Sequence, residues 1–177
     1  MRFLKRVLSV VIVLAVVLAA VAFLLPREVR VARTITIDVP PEKVFPLVNS
    51  LQEGAKWSPW LELDPGVKLA YSGPVSGVGN RLAWRSEHEK VGSGAQVITA
   101  SEPYRHVASD LDFGDMGTAI ATFDLETAGG GTQVTWSLLS DMGNNPAGRW
   151  MGLMMDRWVG SDYERGLVRL KKLAEQN

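Results

Sequence analysis

Between Gly66 and Met142 the chain alternates apolar and polar residues through six successive runs: "GVKLAYSG", "GNRLAWRSEHEKVG", "SGAQVITASEP", "YRHVASDLDFG", "GTAIATFDLETAGGG" and "TQVTWSLLSDM". A period of two is the signature of strands with one buried face. Gly, Pro, Asn and Asp punctuate the runs, and the connections are too short for crossover helices, so antiparallel hairpins are predicted. Parity then assigns faces. Leu82 and Trp84 share one side, as do Val107, Leu111 and Phe113, and as do Val134, Trp136 and Leu138, while His106, Asp110 and Asp112 fall on a solvated side.

A sheet with one apolar face needs a cover, and the flanking segments supply it. "EVRVARTITIDV" predicts a further strand of about ten residues. "DVPPEKVFPLVNS" follows, with Asp38, Pro40, Pro41 and Glu42 at a helix start and Val44, Phe45, Leu47 and Val48 as its apolar face. Pro46 keeps this helix short or kinked. At the other end Asn145 and Pro146 open a long helix in which Trp150, Leu153, Met154, Trp158, Leu167, Leu170 and Leu173 recur at spacings of three and four. Gly148, Gly152, Gly160 and Gly166 weaken it by about 0.8–1 kcal/mol each relative to alanine, which packing must offset. The predicted class is α+β: one strand, short helices, six strands and a long helix. That is a curved antiparallel sheet of about seven strands wrapped around the last helix, with room between them.

Ahead of this lies "VLSVVIVLAVVLAAVAFLL", Val7 to Leu25, uncharged and polar only at Ser9. As a helix it covers roughly 28 Å, close to the hydrocarbon thickness of a bilayer. It reads as an uncleaved membrane anchor. A cleaved signal sequence is the alternative, with a small-x-small site at Ala20 to Ala22. Arg2, Lys5 and Arg6 precede the run, which favours a cytoplasmic amino terminus and a periplasmic or extracellular domain. The expected division is an anchor over residues 1–26 and one domain over 27–177. Setting Arg2, Lys5 and Arg6 aside leaves 16 basic against 19 acidic residues. A mildly acidic domain lacks the basic face that nucleic acid requires, so no nucleic-acid partner is expected. The absence of cysteine removes disulfide, zinc-thiolate and thiol chemistry. His88 and His106 have no flanking ligand pattern, so neither a metal nor a cofactor is expected.

The order of elements, with "WSPW", "DP", "YSGPVSGVG", "GTQVTW" and "GLVRLKKLAE" at these positions, resembles the SRPBCC superfamily of START-like, helix-grip proteins. More narrowly it is similar to bacterial members described as polyketide cyclase/dehydrase or lipid-transport-like, many with one amino-terminal span. The resemblance covers about residues 28–175. It implies a hydrophobic cavity between the sheet and the last helix, entered past the loops near the short helices, and it hands over no catalytic residues.

The binding candidates are aromatic and sulfur side chains. Trp57 and Trp60 in "KWSPWLELDPG" belong to a loop stiffened by Pro59 and Pro65 that forms the lid of the grip. They serve as a gate for a lipid-like guest or as a plug for the core. Tyr71, Trp84, Phe113 and Trp136 are expected to face inward from separate strands. Met151, Met154, Met155 and Trp158 crowd the first half of the last helix and suit an adaptable pocket, or fill it. Polar candidates for chemistry are Asp64, Arg81, Arg85, His88, Glu102 and Asp141, but Arg81 and Arg85 share the strand face opposite Trp84, and His88 stands at a strand end. Gly73, Gly77 and Gly79 lie between two strands, the context of turns and not of phosphate loops. The expected function is a membrane-anchored module for a hydrophobic or lipid-like molecule. A cyclase/dehydrase-type enzyme and a protein-interaction domain with a filled cavity are the alternatives, with catalysis the less favoured.

Overall fold

The computed structural model describes residues 2–176. Its elements are α1 (Arg2–Ala22), β1 (Glu28–Ile37), α2 (Pro41–Val48), α3 (Leu51–Gly54), β2 (Lys68–Ser72), β3 (Arg81–Arg85), β4 (Ser93–Glu102), β5 (His106–Asp112), β6 (Thr118–Ala128), β7 (Gly131–Asp141) and α4 (Pro146–Gln176). The seven strands form one antiparallel sheet in the order β1-β7-β6-β5-β4-β3-β2. The predicted α+β architecture is therefore present: β1 pairs with the last strand from Glu28↔Asp141 to Ile37↔Thr132, and the other strands form a meander.

One predicted strand is shorter than its period suggests. The run through Gly92 leaves the sheet after Arg85, because Ser86 turns its hydroxyl on the Asp64 carboxylate and accepts from the His88 amide. The amides of Val91 and Gly92 then both close on the His88 carbonyl. A second irregularity gains a contact. The register of β4 against β5 jumps between Ile98 and Ala100. Such a bulge resets the alternation of faces, so Ile98 opposite Ser109 and Ser101 opposite Val107 both face the core. Ser101 donates to Asn49 Oδ1 and ties the strand to the turn between α2 and α3.

The inner face is read from the register. Val31, Ile37, Val107, Ala119, Ala121, Phe123, Leu125, Val134, Trp136 and Leu138 are all buried there. α2 and α3 close one end with Val44, Phe45, Leu47, Val48 and Leu51. α2 starts on prolines, with Pro40 at its cap and no side-chain cap. Asp38 instead pairs with Lys171 of α4.

α4 lies along β1, and the face it turns to the sheet corrects the sequence reading. Gly152, Gly160, Tyr163, Gly166, Leu167, Leu170 and Ala174 are its buried residues, together with Arg149. The glycines are notches. A Cβ on Gly152 would stand 2.8 Å from Val29, and one on Gly166 would stand 2.8 Å from Trp136. At Gly160 the Arg33 guanidinium occupies the space. Arg33 rises from the inner row beside Trp136 and is held by Asp156 and Glu164 of α4. The helix-weakening glycines thus allow the close approach that offsets their cost. The bulky Trp150, Met151, Leu153, Met154 and Trp158 are left exposed on other faces.

Candidate functional site

The inner face divides into two parts. Over β6, β7 and β1 it is filled by one aromatic cluster. Trp136, 5 % exposed, stacks on Tyr163 at 3.7 Å and on Phe123 at 5.1 Å. Trp57 meets both Phe123 and Trp136 edge-on, and Trp60 meets Trp136 and Tyr163. Trp57 is 4 % exposed, and its N–H donates to the Leu47 carbonyl at 3.0 Å, so it serves as the core plug of this end. Burial in this stack raises the Tyr163 phenol well above its ordinary value and keeps it neutral. The Trp136 indole N–H is buried without a hydrogen-bond partner among the described residues.

Farther along the sheet Ile98, Val107 and Ser109 of β4 and β5 are still buried, but the part of this face toward β3 and the ends of β4 and β5 is only half covered. Leu82, Gln96 and Leu111 lie in one cross-strand row, and all three are half-buried. Beyond them Trp84 and Phe113 make a separate edge-to-face pair at 5.9 Å, with the Trp84 N–H on the Val91 carbonyl. Gly94 is required beneath this pair, because a Cβ there would stand 2.5 Å from Trp84 Cζ2. The floor between the two aromatic groups is small: Ser109, Ala119 and Ala121. Met155 and Val159 of α4 are partly buried against the core.

A strap crosses this region. The Trp60 N–H donates to Asp162 of α4 at 3.2 Å, and Glu62 pairs with Arg169. Two residues on, Asp64 accepts from Ser86 just past β3 and from the Gly66 amide. Those two hydrogen bonds, Ser86 first, hold the Asp64 carboxyl below its ordinary value. The loop 57–66 is therefore fastened to the helix at one end and to the sheet at the other.

The structure brings Trp57, Trp60 and Trp136 together, keeps Trp84 and Phe113 as a separate pair, and leaves Met155 partly buried against the core. Tyr71 shares the Leu82 row but is exposed near the sheet edge. Met154 and Trp158, expected to crowd inward, are 44 % and 50 % exposed, because the glycine face of α4 is the one the sheet accepts. Tyr163 and Phe123 were missed as members of the cluster. The i, i+4, i+7 spacing of Tyr163, Leu167 and Leu170 carried the signal for the first.

The polar candidates do not assemble. Arg81, Arg85, His88, Glu102 and Asp141 are all exposed, and Asp141 is paired with Arg27 at 2.7 Å. Among the described residues no group of His, Asp and Glu could hold a metal ion. A concavity of about 570 Å³ lies on the opposite, outer face, among Arg81, Val97, Asp110, Asp112, Ile120 and Leu139. Its carboxylates make it a poor home for an apolar guest.

An open antiparallel sheet with a long carboxy-terminal helix and two short helices at one end defines the helix-grip class. Residues 28–175 match the family described as polyketide cyclase / dehydrase and lipid transport, and the chain belongs to that family. No curated protein matches the sequence. Among solved structures it is similar to the crystal structure of Ara h 8.0201, with 16 % identity and a TM-score of 0.62, covering 85 % of this chain and 99 % of that one. The Aha1 dimer from Colwellia psychrerythraea is similar at 20 % identity and a TM-score of 0.56, covering 83 % and 96 %. The di-domain ARO/CYC StfQ from the steffimycin biosynthetic pathway has 10 % identity and a TM-score of 0.62, covering 84 % of this chain and 51 % of that one. These likenesses concern the fold.

Proposed function

We propose that this protein binds a hydrophobic or amphipathic small molecule between the strap and the inner face of β3–β5, in a domain held at a membrane by α1. The observation that carries the reading is the half-covered row Leu82, Gln96 and Leu111, two leucines flanking one amide, bounded by aromatic groups at both ends under a loop fastened on two sides. Such a surface gains by taking up apolar area, at about 25 cal/mol per Å². Trp60, Trp84, Phe113, Trp136 and Met155 are the proposed contacts, with Trp57 as their backing. The family description, which includes lipid transport, agrees with this.

Phe3–Ala22 is long and apolar enough to cross a membrane, a criterion that signal sequences also meet. Retention as a span is supported by the bonds of its carboxy-terminal end to α4, through Arg149 and Trp150. The basic cluster ahead of it keeps the amino terminus in the cytoplasm and sets the domain on the other side.

Native mass spectrometry on the full chain extracted from membranes tests the binding reading. The wild type is expected to carry a hydrophobic adduct, and Gln96→Trp, which fills the half-covered row, to lose it with thermal unfolding unchanged. A wild type free of adducts, whose unfolding no membrane lipid extract shifts, overturns the reading.

A further inference from the structure

We propose that the outward face of the first turns of α4, with Phe23 and Leu24, is a docking surface for the bilayer interface, so that the domain lies on the membrane and does not merely hang from it. The proposal rests on α1 being a retained span. Trp150, Met151, Met154 and Trp158 are 37 %, 57 %, 44 % and 50 % exposed. At 100° per residue they fall within an arc of about 100°, nearly opposite the Gly152, Gly160 and Tyr163 face that meets the sheet. The helix is thus apolar on two sides over this half. Past Trp158 the outward arc carries Ser161, Arg165 and Lys172 with a single apolar residue, Val168, all exposed. One helix with one buried face therefore changes its outer chemistry midway, which packing against the sheet does not require.

Position names the occupant. The Trp150 N–H donates to the Leu18 carbonyl at 3.1 Å, and Leu18 lies inside the apolar window of α1, about one turn from its end. Arg149 donates to the Phe23 and Leu25 carbonyls at 3.2 and 3.1 Å and lies over the Phe23 ring at 5.3 Å. Phe23 and Leu24, 53 % and 84 % exposed, continue the patch to the span itself. A surface that starts at the level of Leu18 starts at the edge of the hydrocarbon. Tryptophan is the residue that settles at that edge, and methionine adapts to the disorder of acyl chains. Arg157, exposed beside Trp158, can reach lipid phosphates along its stem.

The chain has no cysteine, which makes the test clean. Met154→Cys, Val10→Cys and Lys172→Cys in the full chain each receive a nitroxide label and are reconstituted into phosphatidylethanolamine/phosphatidylglycerol vesicles. Relaxation by oxygen and by a water-soluble nickel chelate is then compared. The label at 154 is expected to favour oxygen several-fold over the label at 172, and to read shallower than the label at 10. Lipid-like behaviour at 10 with water-like behaviour at 154 overturns docking while leaving the span standing. Water-like behaviour at both overturns the span and docking together. A label at 154 shielded from both agents, with spin–spin broadening that grows with protein density, means that a second copy covers the face, and likewise overturns the proposal.

Discussion

The half of the inner face over β6, β7 and β1 and the half over β3–β5 belong to one sheet with one alternation of side chains, yet they are finished differently. On the first, α4 and the strap bring Tyr163, Trp57 and Trp60 onto Phe123 and Trp136 until nothing large is left exposed. On the second, the same parity presents Leu82, Gln96 and Leu111, and no side chain finishes covering them. A domain can leave apolar surface under-covered where it binds only if stability is supplied elsewhere. Here the division follows the helix, because α4 lies along β1.

The sharpest way to break this comparison is a pair of truncations in the full chain. Trp136→Ala is expected to cost about 3–5 kcal/mol in denaturant unfolding, from packing and a cavity, whereas Leu82→Ala costs about 1 kcal/mol. Equal losses would mean that the two halves bear load alike. Gly166→Ala sharpens the picture with opposed terms. Helix propensity favours alanine by about 1 kcal/mol, but its Cβ would stand 2.8 Å from Trp136 Cζ3 and 3.2 Å from Pro59 Cδ. Overpacking of about 1–3 kcal/mol wins, so the variant should unfold at lower denaturant. The smallest effect lies outside both halves, at the carboxy-terminal end of β7. The hydrogen-bonded Arg27 guanidinium and the Gly143 amide lower the Asp141 carboxyl to about 2. A carboxyl depressed in the folded state stabilises above its unfolded pKa of about 4, and that contribution fades as pH falls toward 2. Thermal unfolding of Asp141→Asn should therefore lose less between pH 5 and pH 2.5 than the wild type does, by a small margin because the pair is exposed.

The fold was legible because period and punctuation agree over a long stretch. All six runs became strands, and faces assigned by parity put Leu82, Trp84, Val107, Val134, Trp136 and Leu138 on the inner side. The end of β3 was not legible, since it depends on Asp64, distant in sequence, claiming the Ser86 hydroxyl. The face of α4 was misread for a different reason. Hydrophobic bulk at spacings of three and four marks an apolar stripe without saying which of two stripes meets the core. On α4 the core took the stripe of glycines and Tyr163, because only there can β1 come close. Half of the candidate site follows from strand parity, and the other half needed the helix to be turned round.

The chain between α1 and β1 is five residues, Phe23 to Arg27, and little of it is slack. Arg149 takes the carbonyls of Phe23 and Leu25, the Met142 amide takes that of Arg27, and the Arg27 side chain is clamped on Asp141. A tether of free polypeptide gives a domain reach and lets it swivel through a search volume. This one works as a bracket: a roll or tilt of α1 is passed to the sheet through these bonds, and the strap keeps one bearing relative to α1.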